Sequence, residues 1–167
     1  MSIADQAIIT KDGHDALAKN FGGPSGGFQW SFGQYFKLGT GGFIIVSGCM
    51  QPATPDPALH DIVASTSGLF WYRKTFTPSD FLFISPGGIQ VRCFLDTNEA
   101  NGNSLIEPDT ANNVDGPKNS AQLSGNAPTY LEVGIFDAQD VLVAYGTFPG
   151  ETKLTTKTLN HLVLLTF

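Results

Sequence analysis

Residues Pro128 to Pro149 constrain the fold of this chain more than any other stretch, because they contain two apolar runs joined by four turn residues. The first run is Tyr130-Leu-Glu-Val-Gly-Ile-Phe136 and the second is Val141-Leu-Val-Ala-Tyr-Gly-Thr-Phe148; Asp137-Ala-Gln-Asp140 lies between them. Such runs, rich in β-branched and aromatic residues around a short acidic turn, predict a β-hairpin. By strand alternation Leu131, Val133 and Ile135 share one face, with Tyr130, Glu132, Gly134 and Phe136 on the other. On the second arm Val141, Val143 and Tyr145 alternate with Leu142, Ala144 and Gly146. Neither side is polar, so both faces of the hairpin are expected to be covered, one by the core and the other by a neighbouring subunit.

The rest of the composition fits a β-rich protein with tight turns. Charged residues make up 14% of the chain, against an average near ~25%, while there are 19 glycines and 13 phenylalanines. That apolar content excludes a disordered chain. The net charge is −6, and the nine Lys and Arg residues are scattered, Arg73-Lys74 being the only basic pair. No electrostatic footprint for DNA or RNA is visible, so no nucleic-acid partner is expected. The opening Met1-Ser-Ile-Ala-Asp-Gln lacks the basic and apolar regions of a signal peptide, and no apolar run reaches the length of a membrane span. Cys49 and Cys93 each sit in an apolar run and read as two buried, reduced thiols. Sequence alone leaves a disulfide between them open.

Along the chain, a loose helical period from about Ile8 to Asn20, with Thr10 as a cap, predicts a helix that Gly13 weakens. Phe21–Gly27 reads as a glycine-rich loop, and Phe28 to Leu38 as a strand with Phe28, Trp30 and Phe32 on one face. Gly39-Thr-Gly-Gly42 is a turn before an apolar strand from Phe43 to Cys49. Pro52 to Pro57 connects to a second helix, opened by Asp56-Pro57 and running to about Ser65. Leu69–Thr77, Phe81–Ile84, Ile89–Leu95 and Thr158–Phe167 read as strands, and Asp96 to Ala127 as a long loop that orders on contact with a neighbour. The expected fold class is α+β, mainly antiparallel β-sheet with two short helices in the N-terminal half. It forms a single domain over residues 1–167, with the long loop at about 96–127.

No constellation of residues amounts to an active site. Asp96-Thr-Asn98-Glu99-Ala-Asn101-Gly-Asn103 has the composition of a calcium loop but places Ala100 and Asn101 where an oxygen ligand and a glycine are required. His14, His60 and His161 lie outside metal-ligand spacing of one another and of the cysteines. Gly39–Gly42 lacks the Lys-Ser/Thr of a phosphate loop, and no Gly-x-Ser-x-Gly elbow occurs. Glu132 and Asp137 fall on opposite faces of one strand, which disfavours a glycosidase pair and favours cap and turn roles. The expectation is therefore no catalytic residue, no cofactor and no metal.

Four segments occur in a familiar order. They are Ile9-Thr-Lys-Asp-Gly13-His-Asp-Ala-Leu-Ala18, Phe36-Lys-Leu-Gly39-Thr-Gly-Gly42, Pro55-Asp-Pro-Ala-Leu59-His-Asp-Ile62, and the Glu132-Val-Gly-Ile-Phe-Asp137 hairpin ending in Phe148-Pro149. In that order they resemble the N-terminal domain of bacteriophage tail-collar fibre proteins. There a short helix precedes a strand ending in a glycine-rich turn, a Pro-Asp-Pro-type segment opens a second helix, and a hairpin of this kind follows. The resemblance spans nearly the whole chain and implies a virion structural role, attaching a receptor-binding fibre to the tail or baseplate. The chain departs from the pattern in ending at Phe167 without shaft or tip, so the expectation is a short adaptor rather than the receptor-binding part itself.

The resemblance implies a non-enzymatic tail protein assembled in the host bacterial cytoplasm and located in the virion. Its partners would be other tail, baseplate or fibre proteins, and it would form a trimer or a hexameric ring, with no membrane partner. The alternative is a carbohydrate-binding, receptor-recognition module of a phage tail, with Trp30, Trp71 and Tyr72 stacking on sugar rings.

Overall fold

A computed structural model of the chain describes residues 2–3, 6–22, 33–67, 69–84, 86–97, 99–100, 127–154 and 156–166. The strands form two sheets and one separate hairpin. The larger sheet runs β2 (Gln6–Ile9), β10 (Leu142–Thr152), β9 (Thr129–Phe136), β3 (Tyr35–Gly39), β6 (Trp71–Thr75), antiparallel throughout. The smaller runs β1 (Ser2–Ile3), β11 (Leu159–Thr166), β8 (Gly88–Leu95), β7 (Phe81–Ile84), with β1 and β11 parallel. A third pair, β4 (Phe43–Val46) and β5 (Cys49–Pro52), is a hairpin outside both sheets. The helices are α1 (Lys11–Gly22) and α2 (Val63–Ser67), with a 3₁₀ turn at Pro78–Asp80.

The two sheets face each other across one core. Phe36, Leu38, Tyr72, Val133, Ile135 and Ala144 come from the larger sheet; Val91, Cys93, Leu95, Leu159, Val163 and Leu165 come from the smaller. The opposite face of the larger sheet is also buried: Tyr35, Phe136, Leu142 and Tyr145 lie under Ile62 and Ala64, with Leu59, Val63 and Leu69 at the margin. The hairpin of β9 and β10 is thus covered on both faces, as its sequence demands. The second cover is the chain's own 59–69 segment, not the neighbouring subunit that the sequence suggested.

Simple alternation fails on β10, and the register shows why. Leu142 pairs with Phe136 and Ala144 with Ile135, so Val143 is an extra residue, a β-bulge. The bulge puts Leu142 and Tyr145 on the α2 side and Ala144 in the inter-sheet core, where alternation had grouped Leu142 with Ala144. A second irregularity, between Thr147 and Glu151 on β10, accompanies a similar slip on β9: Tyr130 packs in the core with Val133 and Ile135.

The bulge also receives the start of α1. The Thr10 amide donates to the Val143 carbonyl at 3.0 Å, and the Thr10 hydroxyl donates to the Leu142 carbonyl. That same Thr10 oxygen accepts from the Gly13 amide at 3.0 Å, an N-cap bond. The helix expected from about Ile8 starts instead at Lys11, because Ile8 and Ile9 pair with Tyr145 and Ala144 as strand β2. Gly13 is a steric requirement: a Cβ there would fall on the Val143 carbonyl oxygen and 2.9 Å from its carbon. The second helix is displaced too. Asp56 and Pro57 form a turn in which Asp56 Oδ1 accepts from the Ala58 amide at 2.8 Å, and α2 begins only at Val63.

The single strand expected over Phe43 to Cys49 is the β4–β5 hairpin. Ser47 and Gly48 both take positive φ, 52° and 80°, which folds the run back on itself. Cys49 therefore lies exposed on the hairpin, contrary to expectation, while Cys93 is wholly buried; both are free thiols. Burial pushes the Cys93 thiol well above its ordinary pKa. Of the remaining expectations, the strand residues Phe28–Phe32, the loop residues Gly23–Gly27 and most of the long loop (101–126) lie outside the described residues.

Two outcomes follow. Helix propensity alone would make Gly13→Ala stabilising by about 1 kcal/mol, but overlap with a backbone carbonyl cannot be relieved by a rotamer change. The variant is expected to lose about 1–3 kcal/mol, seen as a melting temperature several degrees lower; a higher one would show that α1 shifts freely on β10. In a thiol-labelling assay on dilute native protein, one cysteine should react rapidly and the second only after denaturation.

Candidate functional site

Strand β9 carries a single carboxylate, Glu132, among apolar neighbours, and it is fully buried. An isolated carboxylate removed from water is costly unless hydrogen bonds replace its hydration. Glu132 has four donors. Oε1 accepts from the Gly41 amide at 3.2 Å and the Ala64 amide at 2.8 Å. Oε2 accepts from the Val63 amide at 2.9 Å and the Tyr145 hydroxyl at 2.8 Å. Two carboxylate oxygens offer about four acceptor sites, so the group is saturated. Burial raises the Glu132 pKa, and the four donors oppose that rise without cancelling it. Burial and the neighbouring carboxylate likewise push the Tyr145 hydroxyl far up.

The glycine-rich segment exists to let the backbone wrap this group. A Cβ at Gly41 would lie 2.6 Å from Glu132 Oε1, and one at Gly42, whose φ is +73°, would lie 2.7 Å from Glu132 Cβ. Glu132 thereby joins three elements: the turn before β4, the first amides of α2, and Tyr145 on β10. With every acceptor site filled from within the chain, no lone pair is left for a substrate. The sequence signal for this arrangement was a lone acid in an apolar strand together with three nearly consecutive glycines.

The other candidate groups are not brought together with it. Asp137 Oδ1 accepts from the Gln139 and Val141 amides at 2.8 and 3.0 Å and shapes the hairpin turn. Glu99 pairs with Lys74 at 2.7 Å. His60 meets Asp12 at 2.5 Å on the surface, His14 is exposed on α1, and His161 is buried in β11 against Phe148. Among the described residues, no three His, Cys, Asp or Glu gather as a metal site, and no helix is long and apolar enough to cross a membrane. Of the aromatics considered for stacking on sugars, Tyr72 is in the core and Trp30 lies outside the described residues. Trp71 lies under the Lys37 ammonium, 4.7 Å from the ring centroid, and both Asp61 oxygens hold that ammonium at 2.9 Å.

What Glu132 secures is the root of the β4–β5 arm. Beyond Gly41, the Ala53 amide donates to the Gly42 carbonyl at 2.9 Å, and the Thr147 hydroxyl donates to the Ala53 carbonyl at 2.7 Å. Past this clip Ile44, Ile45, Val46 and Met50 are each about half exposed, from 48% to 61%. A second apolar surface lies on β7, where Leu82 and Phe83 are 58% and 82% exposed and Ile84 is 38% exposed. Neither segment contains a charge: none occurs from Leu38 to Pro55 or from Phe81 to Val91. Contiguous exposed apolar surface marks a site of contact, and these two β-segments are the candidate functional surfaces. The sequence showed β4 as apolar on both faces, and burial was the natural inference; exposure follows from the tight turn at Ser47-Gly48.

Glu132→Gln tests the anchoring role. An amide in place of Oε2 would set an N–H against the Val63 N–H, so the substitution is expected to cost about 2–4 kcal/mol. Linkage supplies a second signature. Because the folded pKa lies above the ordinary 4.5, the folded protein keeps a proton that the unfolded chain releases, and stability falls as pH rises from 4.5 through the folded value. Urea titrations across that range should show this component in the natural protein and not in Glu132→Gln; equal pH slopes would contradict the assignment.

Comparison with protein-family models, with curated proteins and with solved structures finds no match to this chain.

Proposed function

We propose that this chain is a structural component of a bacteriophage tail that connects tail fibres to the baseplate through protein–protein contacts. The observation that carries the reading is the β4–β5 arm, a charge-free hairpin with exposed Ile44, Ile45, Val46 and Met50, clipped at its root to the body. An arm with a fixed base and an apolar end is suited to docking between proteins rather than to chemistry. Of the four segments that carry the resemblance to tail-collar fibre domains, three converge on the fourth, the hairpin. Thr10 bonds to β10, the Gly39–Gly42 turn wraps Glu132 of β9, and the segment ending at Ile62 covers Gly134 and Leu142. The reading places the protein in the virion tail, assembled in the host cytoplasm as a ring of three or six copies, without catalysis or cofactor.

Immunogold electron microscopy of the phage that encodes the chain should place label at the junction of tail and fibres. Virions free of label would defeat the proposal. Specific hits on a glycan array would instead move the reading to receptor recognition.

A further inference from the structure

The two exposed apolar segments sit at opposite ends of the sandwich. The arm is rooted at the Gly39 end of β3, where Gly39 pairs with Trp71 and Glu132. Strand β7 starts at the other end. Phe81 packs on Phe76, just beyond the Tyr35–Thr75 pair, and a Cβ at Gly33 would lie 2.8 Å from its ring. From there β7 runs on alongside β8 from Val91 to Gly88, away from Leu95, Cys93 and the His161–Phe148 contact. One edge of β7 pairs with β8, and the other pairs with no strand among those described.

The two segments also match in pattern. On β7, Leu82 and Ile84 lie on one face and Phe83 on the other; on β4, Ile44 and Val46 lie on one face and Ile45 on the other. Laid side by side, the strands set Ile44 and Val46 next to Leu82 and Ile84, and Ile45 next to Phe83, as cross-strand neighbours. Leu164, which pairs with Gln90 beside Leu82, extends the apolar row by one strand and is itself half exposed. With Met50 and Leu164 included, each side offers four exposed apolar side chains; covering all eight would bury roughly 800–1,000 Å², the lower end of specific interfaces. Neither surface carries a charge that would have to be desolvated, whereas the chain as a whole is at −6, so two copies approach most readily through these neutral ends.

We propose that β4 of one copy adds to the free edge of β7 in the next, extending its smaller sheet by the β4–β5 hairpin and making a heterologous, head-to-tail contact between copies of this chain. Heterologous contacts close into rings or extend as filaments according to the rotation between copies. This contact gives the arm that carries the tail assignment a partner in the next copy; virion labelling tests the assignment, and sedimentation tests the contact by itself.

The test uses complementary surface variants of the full chain. Ile45→Glu disables the arm and leaves β7 intact; Phe83→Glu does the reverse, with Leu82→Lys as a second β7 variant. Both primary positions are more than half exposed, and unchanged melting temperatures would verify folding. By sedimentation, the natural protein should grow beyond a monomer as concentration rises, and each variant alone should remain monomeric. An equimolar mixture of Ile45→Glu and Phe83→Glu should recover a species of two chains and nothing larger, because one good arm meets one good edge. A natural protein that is monomeric throughout, a variant that still self-associates, or a mixture that stays monomeric would each overturn the proposal.

Discussion

One buried carboxylate organises the centre of this protein. Among the described residues Glu132 has no cation for a partner, and its hydration is replaced by three backbone amides and one hydroxyl. Those donors come from three different elements, and each must be in place before the others are useful. Removing one donor would strand the group, and removing the group would leave the first amides of α2 and the Gly41 amide without their acceptor. The glycines around it follow from the same constraint, since any side chain at those positions would occupy the space the carboxylate needs.

Around that centre the larger sheet has two covers of different origin. The smaller sheet covers one face with aliphatic and aromatic side chains, and the short 59–69 segment covers the other. So small a cover cannot bury the whole face, and the remainder is finished with charge. Lys37 lies over Trp71 and Phe136, at 4.7 and 4.5 Å from their centroids, and Arg73 over Tyr35 at 3.7 Å. The ammonium, itself buried and held by both Asp61 oxygens, and the guanidinium shield the ring faces at this margin of the core.

Much of this was legible in the sequence for a physical reason. The β9–β10 hairpin announces itself because alternating apolar residues around an acidic turn have few other uses, and the Thr10 cap because a hydroxyl before a helix has a definite bonding role. What was hidden depended on partners far away along the chain. Ile8 and Ile9 read as helix until β10 supplies them with a strand to pair with. Val143 reads as an ordinary strand residue until its carbonyl must meet Thr10. Ser47-Gly48 needs positive φ at two adjacent residues, and only that turn shows that Phe43 to Cys49 is an exposed hairpin rather than a buried strand. The site was half visible: the cap role expected of Glu132 is seen in its bonds to the Val63 and Ala64 amides, but the arm it anchors was not foreseen.

The pairing of β1 with β11 and of β2 with β10 sets the order in which the structure can be completed during synthesis. Ser2 lies opposite His161 and Ile9 opposite Ala144, so β1 and β2 wait for partners made more than a hundred residues later. Until Leu142–Thr166 has left the ribosome, neither sheet has its full set of strands and α1 has no carbonyl against which to seat its cap. Few stable local contacts are available to the growing chain before then, apart from the short hairpins. A topology closed by contacts so distant in sequence folds slowly. Through that interval the charge-free strands of both exposed segments are already present, paired at most on one edge within their own hairpins.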